Sequence, residues 1–229
     1  MKKEDILAII PAYNEASRIR SVIDAARLHL PVLVVDDGSA DNTVEIARLA
    51  GAEVLCQFPN QGKGMALKAG FGYALSQGYD AAITLDADGQ HDPAEIPLFV
   101  QVFFERSSDL LIGARDFSRM PFSRRFANSS GRVLFSWAVE QPVRDNQSGY
   151  RLVSRRMMEA ALASDEKGFE FEVEMIVTCV QRGYCLDWVP IRTIYAGQGS
   201  HIHPLRHTLG FLRLVWRTRR RMRRSQETL

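Results

Sequence analysis

The chain contains no uninterrupted apolar run approaching the roughly 18 residues that suggest a membrane-spanning helix. Its first apolar segment, 6–10, stops at Pro11 and is too short for a signal peptide. Cysteine is scarce: Cys56, Cys179 and Cys185 are an odd number without metal-type spacing, the pattern of core thiols in a reducing compartment. No Gly-x-Gly-x-x-Gly follows the first apolar run, which leaves dinucleotide binding unsupported. Asn60-Gln-Gly-Lys63-Gly lacks the first glycine and the Ser/Thr of a phosphate-binding P-loop. Neither a Ser-His-Asp set nor a zinc-ligand set can be assembled from local sequence.

Acidic residues are missing from one end. Residues 188–226 hold nine of the 29 Lys and Arg and no Asp or Glu. Residues 1–187 hold 26 of the 27 acidic residues and therefore carry about −6, although the whole chain is +2. An acidic body precedes a strongly basic tail. Within 229 residues, 46% of them apolar, one domain with a short appendage is expected: 1–204 as the domain and 205–229 as a basic amphipathic helix or tail.

Short apolar runs alternate with helical periodicity through the first half. Strands are expected at 6–10, 32–35, 52–55, 81–85 and 110–113. Helices are expected at 16–30, after a cap at Asp41 or Asn42 with Glu45 completing a capping box, at 63–76 and from Pro93 to 105. The second half is less regular, with helices at 122–140 and 171–182, extended chain at 148–153 and at 186–194, and Pro190 marking an edge or a bend. The pattern predicts an α/β fold, with a parallel sheet covered by helices on both faces. Ligands of such sheets sit at the carboxyl ends of the strands, and the polar signatures fall there. Among them, Asp86-Ala-Asp88 places two carboxylates at i, i+2, on one side of an extended chain. Such a pair needs a cation, and a hard divalent ion carrying phosphates suits it. Asp86-Ala-Asp88-Gly also resembles an aspartyl-phosphatase nucleophile, but that motif follows a first strand, whereas this one follows the fourth.

Pro11-Ala-Tyr-Asn-Glu15, Asp36-Asp37-Gly-Ser-Ala-Asp41, Asn60-Gln-Gly-Lys63-Gly, Asp86-Ala-Asp88-Gly-Gln90-His91, Ile112-Gly-Ala-Arg115, Asp145-Asn-Gln-Ser148-Gly-Tyr-Arg151 and Phe171-Glu-Val-Glu174 together resemble family 2 glycosyltransferases in order and spacing. The likeness is strongest to the dolichyl- and polyprenyl-phosphate mannose or glucose synthases, and covers roughly residues 5–200. It implies a GT-A fold and an inverting, metal-dependent hexosyltransferase with a nucleotide-diphosphate sugar donor, GDP-mannose or UDP-hexose. Transferred motif by motif, Pro11, Ala12, Tyr13, Glu15, Asp36, Asp37, Lys63, Asp86 and Ala87 are expected to bind the donor. Asp86, Asp88 and Gln90 are expected to hold Mg²⁺ or Mn²⁺, and Arg115 to compensate charge or touch phosphate. A sugar nucleotidyltransferase shares the fold, but its Gly-rich loop near the N-terminus is absent.

The acceptor rests on fewer residues. A hydroxyl acceptor needs a general base, for which Asp145 is the first candidate, ahead of Glu172 and Glu174. A polyprenyl phosphate is already ionised and needs a cation instead. The family's arginine and lysine for that task read here as Tyr195 and His201, with Arg192, Arg151, His201 and His203 as the candidates to substitute. Polyprenyl phosphate is the leading acceptor, transfer to a saccharide or other hydroxyl the alternative, and a catalytically silent nucleotide-sugar-binding partner the reading from another class. Leu209, Leu212 and Trp216 follow helical spacing among arginines, and these apolar positions are expected to pack on the domain. Such a basic helix can also lie on an anionic membrane. The expected location is therefore cytoplasmic, with peripheral contact at the inner membrane face and no nucleic-acid partner.

Overall fold

Every residue of β1 (Ile6–Ala12) is buried, as expected of a strand at the centre of a sheet covered on both faces. A computed structural model describes residues 5–115, 122–166, 168, 170–192 and 215–223. Around β1 stand β2 (Val32–Asp36), β3 (Glu53–Cys56), β4 (Ala81–Thr84), β5 (Leu110–Arg115), β6 (Arg151–Ser154) and β7 (Leu186–Ile191). They form one seven-stranded sheet in the order β3-β2-β1-β4-β6-β5-β7. Only β6 runs antiparallel to its neighbours among the described strands.

The alternation of β1 sends Leu7 and Ile9 to one face and Ile6, Ala8 and Ile10 to the other. On the first face lie α3 (Lys63–Ser76), α5 (Phe122–Val139), α6 (Arg155–Leu162) and α7 (Glu170–Gln181), with Leu67, Phe71, Phe135, Met157 and Phe171 in its core. On the second lie α1 (Ile19–Ala26), α2 (Thr43–Leu49) and α4 (Ile96–Arg106), contributing Ile19, Ile23, Ala47, Phe99 and Phe103. The expected strands and helices are present with small shifts at their ends.

The differences have local causes. Pro11 does not end β1: β4 pairs with β1 only as far as Ile9↔Thr84, so the missing N–H falls where β4 has already stopped. The capping box before α2 does not form. Asn42 stands at the cap without a side-chain bond, while Asp41 accepts from Thr43 N and Oγ1 and from Ala16 N. Pro93 opens a 3-10 turn, capped by Asp92, ahead of α4. α6 was not anticipated; Ser154 caps it by accepting from Met157 N. Pro190 lies in β7, the edge strand, where its missing donor costs no ladder bond on the open side.

A further helix, α8, spans 215–223. Val215 and Met222 are buried in the first-face core, whereas Trp216, expected to pack, is 62% exposed. Arg217 pairs with Glu166 and Glu170, Arg219 with Glu140, and Arg221 with Glu174. Three of the nine arginines in 188–226 are thus paired with the acidic body. Tyr195, His201, His203, Leu209 and Leu212 lie outside the described residues.

Two stability predictions follow from close packing and from a buried acid. In α3, a Cβ at Gly70 would lie 2.7 Å from Cγ2 of the fully buried, β-branched Ile9. Ala in a helix interior gains about 1 kcal/mol over Gly, while overpacking costs about 1–3 kcal/mol. Gly70→Ala should therefore lower stability by about 1 kcal/mol, read from urea midpoints. Asp109 accepts from the Arg156 guanidinium, from Ser154 Oγ at 2.9 Å and from Cys185 N at 2.9 Å, joining β5, β6, α6 and the start of β7. Burial pushes its pKa up, but the bonds from Arg156, Cys185 N and Ser154 prevail and hold it below the ordinary value. Its stabilisation is complete above the unfolded pKa of about 3.9 and is lost as pH falls through the lower folded value. The stability difference between wild type and Asp109→Asn should be full at neutral pH and shrink below about pH 4.

Candidate active site

The carboxyl ends of β1, β2 and β4 enclose a cavity of about 310 Å³. Pro11, Ala12, Tyr13, Glu15, Asp37, Lys63, Asp86, Ala87 and Asp88 line it, together with Ala66. The loop after β1 is stitched to the loop after β2: Asn14 N donates to Ser39 Oγ (2.8 Å), Ala40 N to Asn14 Oδ1 (2.8 Å) and Glu15 N to Thr43 Oγ1 (2.8 Å). That stitching presents Tyr13 and Glu15 to the cavity. Burial raises the Glu15 pKa; Arg18, ion-paired at 2.9 Å, opposes the shift, and the Asp88 charge adds to it.

Asp37 accepts from Gln61 N (2.8 Å) and Gly62 N (2.7 Å), tying the β2 end to the start of α3. Asp36 does not line the cavity. Its Oδ2 accepts from Gly38 N and Ser39 N, so it shapes the loop that carries Asp37.

Lys63, the first residue of α3, reaches Asp86 Oδ1 at 2.6 Å and Glu172 Oε1 at 3.2 Å. Burial alone would lower its pKa, but the two carboxylates raise it, and the ammonium stays charged. Asp86 is the mirror case: burial would raise its pKa, and Lys63 holds it below the ordinary carboxylate value. His91 Nδ1 accepts from Asp86 N at 3.0 Å, and its ring stacks on Tyr150. Burial lowers the His91 pKa against the pull of Asp86, which favours the neutral ring. Gly149 closes over the pair: a Cβ there would lie 2.8 Å from Lys63 Nζ and 2.9 Å from Asp86 Oδ1. Thr84 Oγ1 donates to the Gly149 carbonyl at 2.7 Å and fixes that approach.

Asp88 accepts from Gln90 N (2.9 Å) and Gln90 Nε2 (2.8 Å), so Gln90 holds this carboxylate from one side. Among the described residues no group of three or more His, Cys, Asp or Glu is gathered for a metal. Two carboxylates lining one cavity nevertheless fit a hard divalent cation whose other ligands are phosphate oxygens and water.

The three residues expected to act in catalysis do not join this cavity wall. Asp145 is 2% exposed and accepts from Arg115 Nε (2.6 Å) and Nη2 (2.9 Å), and from Gln147 N and Ser148 N. A carboxylate so engaged is a structural anion rather than a general base. Arg151 is fully buried and donates to the carbonyls of Ser148, Asn146 and Glu172, which corrects its reading as an acceptor contact. Arg115 is committed to Asp145. Sequence reasoning ranked Glu172 only as a lesser base and gave Gly149 no role. The signal for Gly149 was its place in the Asp145–Arg151 motif. Glu172 and Glu174 sit two apart on α7, and only Glu172 meets Lys63.

The profile described as Glycosyl transferase family 2 matches residues 7–162. The chain is 33% identical over 204 residues to undecaprenyl-phosphate mannosyltransferase of Micrococcus luteus, covering 81% of this chain and 82% of that protein. It is 29% identical over 216 residues to UDP-N-acetylglucosamine–dolichyl-phosphate N-acetylglucosaminyltransferase of Methanococcus voltae, covering 83% and 86%. Glucosyl-3-phosphoglycerate synthase from Mycobacterium tuberculosis, solved with Mn²⁺, uridine diphosphate and phosphoglyceric acid, shares the fold at a TM-score of 0.70 and 22% identity, covering 93% of this chain and 76% of that one. The matched residues span well over half of the chain and run through every strand end that lines the cavity, so the chain belongs to glycosyl transferase family 2 and has its GT-A fold.

Proposed function

We propose that this glycosyltransferase moves a hexose from a nucleotide-diphosphate sugar to polyprenyl phosphate, inverting the anomeric centre. The observation that carries the reading is the convergence of Asp86, Asp88 and Lys63 in one cavity beside the stitched β1 and β2 loops. Pro11, Ala12 and Tyr13 offer the nucleoside a wall. Asp37 has acceptor capacity beyond its two backbone bonds for ribose or base. Asp88, with Asp86, would hold Mg²⁺ or Mn²⁺ on the diphosphate, and such an ion stabilises the charge that grows on the departing diphosphate. Lys63 adds a second positive charge at the same place.

The acceptor follows from what Asp145 is doing. A hydroxyl acceptor must lose a proton, and the carboxylate first assigned to take it is saturated by Arg115 and two backbone donors. An ionised lipid phosphate can attack from the opposite face without a base. The names of the two relatives, acting on undecaprenyl and dolichyl phosphate, support this choice and divide over the sugar. A lipid acceptor also requires contact with a membrane surface, and among the described residues no helix is long and apolar enough to cross one.

Incubation with Mg²⁺ or Mn²⁺ and GDP-mannose, UDP-glucose or UDP-N-acetylglucosamine should release nucleotide only when a short polyprenyl phosphate is present, and one donor should dominate. Release that instead needs a saccharide hydroxyl would overturn the lipid acceptor, and absence of metal-dependent donor binding would overturn the whole reading. Asp88→Asn should lower kcat/KM by about 10²-fold or more. If the protein were a silent binding partner, Asp88→Ala would leave its cellular role unaffected. Gly149→Ala should displace Lys63 and Asp86 and cost about 10²-fold in turnover, with the urea midpoint little changed.

A further inference from the structure

α5 leaves and returns at the edge of the sheet that carries the site. β5 ends at Arg115 on the carboxyl edge, and antiparallel β6 begins at Arg151, which pairs with Thr84 and Ile112 near the carboxyl ends of β4 and β5. The connection between them, which contains α5, therefore starts and ends on the edge that carries Asp86 and Asp88. One side of α5 is core, with Phe135, Ala138 and Val139 buried. The other side shows Val133 (63% exposed), Leu134 and Trp137 to solvent. α8 continues this face: the Arg219 guanidinium lies over the Trp137 ring at 4.9 Å and pairs with Glu140, and Trp216 stands 62% exposed beside Arg220.

The charge of the face is one-sided. Neither α5 nor the 215–223 helix contains an acidic residue. Arg217, Arg219 and Arg221 are spent on glutamates of the body, but Arg132, Arg144, Arg220 and Arg223 take no carboxylate among the described residues. Arg132 and Arg144 share an open groove of about 490 Å³ with Ser136 and Val133. Glu140, also on its wall, is already neutralised by Arg219. Exposed Trp and aliphatic side chains beside arginines that take no carboxylate among the described residues match the depth profile of a lipid interface, where apolar bodies enter the acyl boundary and cationic tips meet phosphate.

We propose that this composite face of α5, the 140–144 loop and α8 seats the enzyme on an anionic phospholipid bilayer, with the Arg132–Arg144 groove receiving head-group phosphate. The seat is not the basic tail acting alone, since three of the five arginines of α8 are paired with glutamates of the body. The proposal rests on the lipid-acceptor reading only for its purpose; the binding itself is independent of catalysis.

The test is co-sedimentation of the full chain with vesicles of phosphatidylcholine alone and of phosphatidylcholine with about one-third phosphatidylglycerol, without donor, metal or polyprenyl phosphate. Binding should require the anionic lipid and fall with added salt. Val133→Ser with Trp216→Ser, two outward positions that leave the core untouched, should lower the partition coefficient about tenfold or more. Arg220→Gln and Arg223→Gln should each lower it about fivefold. Nucleotide release with a detergent-dispersed short polyprenyl phosphate should be unchanged in all of them. A wild-type chain that stays in the supernatant, binds both vesicles equally or is indifferent to these substitutions overturns the proposal. Vesicle binding without any transfer to polyprenyl phosphate would instead overturn the acceptor reading and leave the docking face standing.

Discussion

The Lys63–Asp86 ion pair is the interaction on which the site depends. A lysine at the first position of a helix stands at the positive end of the macrodipole, where a cation is disfavoured by about 0.3–1 kcal/mol. Its place is explained by the charges around it. Asp86 at 2.6 Å and Glu172 at 3.2 Å outweigh the dipole, and Asp37 supplies the anion that the helix start prefers by accepting from Gln61 N and Gly62 N. Without Lys63, Asp86 and Glu172 would be mutually repelling carboxylates at the end of a buried strand. With it, they form a paired cluster, which under the proposed function a metal and a diphosphate would enter by exchange of partners.

The second constraint is the reversal of β6. Because this strand runs against its neighbours, the 145–150 loop arrives at the carboxyl edge, where a parallel strand would have brought its own start to the opposite edge. Gly149 is thereby pressed onto the Lys63–Asp86 pair, and Thr84 at the end of β4 locks it there. Asp145 and Arg115 tie the loop to the end of β5 at 2.6 Å, while Arg151 gathers the carbonyls of Asn146, Ser148 and Glu172 beneath it. All three residues act on the site through the backbone that presses Gly149 onto Lys63 and Asp86.

What could be read from the sequence was what is local. The run of β-branched residues before Asp36 and the helical pattern from Lys63 to Ser76 each depend on a few neighbouring residues, and each appears as expected. Asp86 and Asp88 do share the cavity wall, but from a turn at 87–88 beyond the end of β4 rather than from extended chain. What was missed depends on partners far along the chain. Glu172 meets Lys63 across more than a hundred positions, and no periodicity marks it among the apolar residues of α7. Asp145 looks like a reactive carboxylate until Arg115, thirty residues earlier, is seen to claim it. The direction of β6 is equally silent in its four residues.

The separation of charge along the chain has a structural cause that composition alone leaves open. α7 carries two nearly buried carboxylates two residues apart, which a helix turns to different sides. Glu172 faces the site and is answered by Lys63; Glu174 faces outward and is answered by Arg221 and Thr178. An unpaired buried carboxylate is costly, so α7 is best seated when both are paired. The basic helix at 215–223 thus completes, from outside, the neutralisation that Lys63 performs from within. Since both pairs act on one short helix, the tail and the cavity share a support although no side chain of α8 lines the cavity.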